Sequence, residues 1–158
     1  MTTRTNWLSA AVLTVALYVA PASAQSLQCV NTDSTEAVAI TAVATAVNAA
    51  QTAADTTRNA LTTLNLFTIL AATQQNTSAL LAVAQAEAAV ALLTPSALTT
   101  DLRAPLATAT SGISSLRDAT TSLLAGNPGA AQQAFTVALG QVDSAVGLAR
   151  SLPPLCRP

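Results

Sequence analysis

The sequence predicts an all-α fold: an antiparallel bundle of about four amphipathic helices over residues 25–158, with the termini tied by one disulfide. Three observations carry this. Apolar or small residues recur at 3-4 spacing through successive segments, and no segment alternates as a strand does. The segments are separated by Pro, Gly and Asn punctuation. The composition favours helix, with 51% hydrophobic residues but only 5 Gly and 3% aromatics in 158 residues.

The first element is an export signal, residues 1–24. Arg4 supplies the positive n-region, Trp7 to Ala20 form a short apolar run, Pro21 breaks it, and Ala22-Ser23-Ala24 is a small-x-small cleavage site. The run is short for a bilayer span, which takes about 20 residues. The expected product is therefore secreted or extracellular, at a cell wall or in a periplasm, with no integral membrane span after cleavage. Asn31-Thr32-Asp33-Ser34 then offers N-cap residues for a first helix carrying Ile40, Val43, Val47, Ala50, Ala54, Leu61, Leu64 and Ala71 on one face, with Thr57 and Thr68 filling the missing steps. Either this helix runs to about Thr73 or it breaks at Asp55–Asn59. Gln74-Gln75-Asn76-Thr77 reads as a loop. A second helix from Ser78 to Leu93 places Leu81, Ala84, Ala88 and Ala91 on one face, and Thr94-Pro95-Ser96 stops it. Ser96 or Thr100 can cap the third helix, whose inward series is Leu102, Leu106, Ala109, Ile113, Leu116, Thr120 and Leu123. Pro105 either starts a helix there or kinks this one. Gly126-Asn127-Pro128-Gly129 is the strongest turn. The fourth helix runs to about Leu152, with Ala131, Phe135, Ala138, Val142, Ala145, Ala149 and Leu152 inward, and Pro153-Pro154 ends it.

Cys29 and Cys156 lie near the two ends of the exported chain, and an even cysteine count in an oxidising compartment reads as a disulfide. The charges are sparse: 7 acids and 6 bases in the whole chain, all the bases Arg and one of them in the signal. Nucleic-acid binding, which needs clustered Lys and Arg, has no footing here.

Catalytic groups are missing. There is no His and no Lys, and Trp7, Tyr18 and Met1, each the only one of its type, all fall in the signal. No Ser-His-Asp, Cys-His or Ser-Lys arrangement is available, and no Gly-rich phosphate loop occurs. The acids are scattered and read as solvated caps and faces. Metals and haem lack their usual ligands once the cysteines pair. The expectation is a protein that is not an enzyme, with no catalytic residue, no metal and no cofactor.

Two patterns remain. Asn76-Thr77-Ser78 is a sequon, making Asn76 a candidate glycan acceptor in the expected loop. On the first helix Thr41, Thr52 and Thr63 recur every eleven residues, as do Thr45 with Thr56 and Asn48 with Asn59. Eleven residues are almost three turns, so these seven groups form one ridge, opposite the Ile40-Val43-Val47 stripe. The segment Thr45–Ala54 resembles the alanine-rich helical antifreeze proteins of fish, whose threonines share this period; that implies an ice-binding face. In style the mature chain resembles the fungal hydrophobic-surface-binding proteins: secreted, small, helical, Ala/Thr-rich and poor in aromatics. The function these features favour is surface action, structural or adhesive, on an extracellular surface or partner protein. The rival readings are a carrier of an apolar ligand, which needs an internal pocket; a helical-bundle enzyme inhibitor, which needs an exposed anchor such as Phe67, Leu66 or Ile69; and an ice-binding protein using the ridge.

Overall fold

Ser, Asn and Pro set the helix starts of this chain. In the computed structural model, which describes residues 29–156, the helices are α1 (Thr35–Thr63), α2 (Leu66–Ala91), α3 (Ala97–Leu124) and α4 (Pro128–Arg150). The expected export signal and its cleavage site lie outside the described residues. Ser34 caps α1 by accepting from the Ala37 N–H at 3.2 Å. Asn65 caps α2 by accepting from Phe67 N–H at 2.8 Å. Ser96 and Thr99 form a reciprocal capping box at α3. Asn127 caps α4, with Pro128 in its first turn. Gly126 takes φ 72° in the turn before Asn127, a left-handed conformation that suits glycine.

Helix direction alternates. A small core cluster of Ala60, Ile69, Ala72, Leu123 and Ala131 joins the end of α1, the start of α2, the end of α3 and the start of α4. These four helix ends meet at what we call the distal end. At the proximal end Cys29 and Cys156 are bonded, S–S 2.01 Å, and Val30 and Leu155 form an isolated parallel bridge. There Val30 N–H donates to Pro154 O at 2.9 Å and Cys156 N–H to Val30 O at 2.8 Å. The result is an up-down-up-down bundle with its termini stapled. α1 packs against all three other helices, whereas α2 and α4 do not touch. α1 is long and apolar enough to cross a membrane by length and composition, and half of its most apolar window is buried in the bundle.

The third and fourth helices bury the expected faces, with Ala149 and Leu152 half-buried at the end. Ser96 rather than Thr100 starts α3, and the helix continues through the buried Pro105. The first half of the chain differs from expectation. α1 neither runs to Thr73 nor breaks at Asp55–Asn59; it ends at Thr63, where Leu64 turns left-handed at φ 49° and its N–H reaches Ala60 O. Gln74-Gln75-Asn76-Thr77 is not a loop but the middle of α2. The inward face of α2 is Ile69, Ala72, Asn76, Ala79, Val83, Ala86 and Val90, a strict 3-4 series. Leu81, Ala84, Ala88 and Ala91 are exposed instead. The cause is Asn76. A polar residue occupies a core step, so a stripe read from apolar residues alone breaks there and slips to the wrong face.

Small residues set the packing. α1 offers Ala39, Val43, Ala46, Ala50, Ala53, Thr57 and Ala60 at 3-4 spacing, matching the α2 series. Such stripes let helix axes approach to the short end of the usual 8–10 Å range. Between α3 and α4 the packing is tight at Gly112, where an added Cβ would lie 2.9 Å from Val142 Cγ2.

Candidate functional site

Among the described residues, the distal helix ends combine exposed apolar side chains with an absence of charge. Leu64, Leu66, Phe67 and Leu70 are 58%, 59%, 80% and 51% exposed, within seven consecutive residues around the α1–α2 connection. The left-handed turn at Leu64 leaves no room for a continuous stripe, so these side chains point away from the core. Leu124, also exposed, ends α3 at the same end. Four clustered large side chains make a patch of several hundred Å², the size at which an exposed patch on a monomer tends to be functional. Val38, Leu81, Leu92, Val137, Leu148 and Leu155 are exposed elsewhere.

No Asp, Glu, Lys or Arg occurs from Asn59 to Ala86, or from Ala119 to Val142. These two stretches supply all four distal helix ends. Asp55 and Arg58 lie just short of the first, paired at 3.2 Å on the exposed surface. Arg58 also stacks 5.8 Å from the centre of the Phe135 ring. The two charge gaps were readable in the sequence. What concealed the site is that Leu64 fits the core pattern and only the position of the chain reversal exposes it.

The threonine ridge lies on one continuous helix, and the eleven-residue pattern stops where α1 stops. Thr41, Thr45, Asn48, Thr52, Asn59 and Thr63 are exposed, and Thr56 is half-buried. The hydroxyls face inward chemically. Thr41, Thr45, Thr52, Thr56 and Thr63 each donate to the carbonyl four residues earlier, at 2.8, 2.9, 3.0, 2.7 and 2.8 Å. Their protons are used within the helix, so these threonines present methyl groups and oxygen lone pairs outward.

Asn76, the candidate glycan acceptor, is fully buried. Neither its side-chain oxygen nor its nitrogen has a hydrogen-bond partner. A glycan on that nitrogen and this packing exclude one another.

The grooves are open to solvent. One of about 410 Å³ lies at the proximal end between Val38, Thr41 and Thr45 of α1, Ala82 and Gln85 of α2, and Leu155. Another, of about 340 Å³, lies between Glu87 and Val90 of α2 and Arg103 and Leu106 of α3. Of the three anchors an inhibitor would use, Phe67 and Leu66 are exposed and Ile69 is buried in the distal cluster. Among the described residues no group of three or more His, Cys, Asp or Glu is placed to hold a metal ion. Comparison with protein families, with curated proteins and with solved structures finds no match for this chain.

Proposed function

We propose that this is an exported, non-enzymatic protein that adheres to uncharged apolar surfaces through its distal end. The observation that carries the reading is the cluster of Leu64, Leu66, Phe67 and Leu70 on an end without charge. Placing a charge against an apolar phase is costly, so an adhesive end must lack them. The nearest charges, Asp55 with Arg58 and Arg117 with Asp118, sit outside the uncharged stretches rather than among the exposed leucines. The terminal disulfide is compatible with an oxidising compartment outside the cell.

Transferring four half-exposed to mostly exposed side chains out of water is worth about 1 kcal/mol for each Leu and about 2 kcal/mol for Phe67. Adsorption of the purified protein to hexadecane droplets tests this. Phe67→Ser should weaken it on the order of thirtyfold. The matching change at the other end, Leu92→Ser, should leave it unchanged. Equal losses from both, or no adsorption by the native protein, would remove this reading.

A further inference from the structure

The buried core is divided. The large cluster holds Ala54 on α1, Ala79 on α2 and Ala119 on α3, and the distal cluster holds Ala60, Ala72 and Leu123 on the same helices. Between them on each helix sits a buried polar residue: Thr57, Asn76 and Thr120. The two threonines satisfy their hydroxyls on their own helices, Thr57 on Ala53 O at 2.8 Å and Thr120 on Arg117 O at 2.9 Å. Asn76 satisfies neither side-chain atom. An orphaned amide favours any state in which water reaches it. Beyond this layer the distal core has only Ile69 and Leu123 as large buried side chains, with three alanines. The connection that closes it holds Leu64 in the left-handed region that disfavours a bulky residue.

We infer that the distal layer opens as a unit down to Asn76 when the protein meets an apolar surface, so that its adhesive face includes the distal core itself. This rests on the adhesive reading above and assigns its regulation. Ile69, Leu123 and their alanine neighbours leave one apolar environment and enter another, while the Asn76 amide gains water. The freed distal segments of α1 and α2 carry no charge from Asn59 onward and can lie along alkyl chains at the surface. The large cluster and the disulfide hold the proximal part together.

Hydrogen exchange of the intact, oxidised protein, free and adsorbed on hexadecane droplets, tests the opening. In free protein, amides around Ala60, Ala72 and Leu123 should exchange at least tenfold faster than those around Val43, Val83 and Leu106. On droplets the distal amides should lose protection further and the proximal ones keep theirs. Asn76→Ala, with Asn76→Val as a second variant should the first not fold, should slow distal exchange in free protein about tenfold. Equal protection at both ends of the free protein overturns the inference, as does an Asn76 variant whose distal exchange is unchanged. Uniform retention or uniform loss of protection on droplets overturns it while leaving adhesion intact. Failure to adsorb at all removes the adhesive reading, and with it this account of the surface-bound state.

Discussion

Gly112 of α3 packs tightly against Val142 of α4, whereas Gly140 and Gly147 of α4 face open space. A Cβ at Gly112 would meet Val142 Cγ2 at 2.9 Å, and a β-branched side chain has no free rotamer into which to retreat. At Gly140 and Gly147 an added Cβ meets nothing within 4 Å. Glycine inside a helix costs about 0.5–1 kcal/mol relative to alanine. Gly140→Ala and Gly147→Ala should therefore each stabilise the protein by about that amount. Gly112→Ala gains the same helix propensity, but overpacking costs about 1–3 kcal/mol, so it should come out destabilised by about 1 kcal/mol. Urea denaturation midpoints of the three variants measure this. A stabilised Gly112→Ala would mean that the α3–α4 seam is loose enough to absorb a methyl group.

Among the elements, α1 carries both a long buried face and the threonine ridge. Thr41, Thr52 and Thr63 lie about 16.5 Å apart along a straight helix, a regular and uncharged row. Their hydroxyl protons are spent on backbone carbonyls, so a change to Ser keeps that bond and removes only the outward methyl. If the distal end is the adhesive site, the triple Thr→Ser variant should bind hexadecane droplets as the native protein does, at equal helicity by circular dichroism. A loss comparable to that of Phe67→Ser would move the site onto the ridge. Thermal hysteresis of the native protein separately checks the ice-binding alternative. How much of the helices the sequence revealed follows from the same chemistry. In α3 and α4 every residue of the expected inward series is buried or half-buried, Thr120 included, and α3 buries Thr99, Pro105, Gly112 and Ala119 besides. In α2 the core step at position 76 is an amide, and the Gln and Thr around it look like a loop. In α1 the reversal uses Leu64 and Asn65, with no glycine or proline to mark it. The distal patch was half legible for that reason: Leu66 and Phe67 stood out as candidate exposed anchors, whereas Leu64 counts as core until the chain is known to turn there.

At the scale of the whole molecule, the disulfide and the distal layer act on different openings. Cys29 and Cys156 are 127 residues apart, so the bond closes the whole described chain into one loop. Chain entropy gives about 5 kcal/mol for such a loop, and real crosslinks commonly give 2–4. That is a large share of the 5–15 kcal/mol typical of a domain, and more so for a core in which alanines supply many of the buried positions. The Cys29→Ser/Cys156→Ser variant should keep the native helical spectrum at room temperature and melt roughly 10–20 °C lower. A loss under about 1 kcal/mol would show that the unfolded chain already keeps its ends together. The stabilisation exists only for transitions that free the termini from one another. Opening of the distal layer leaves α1 and α4 joined at the proximal end, so the crosslink cannot oppose it. Exchange of the distal amides should therefore be the same with and without the disulfide, while protection of the proximal core falls by the full amount of the lost stability.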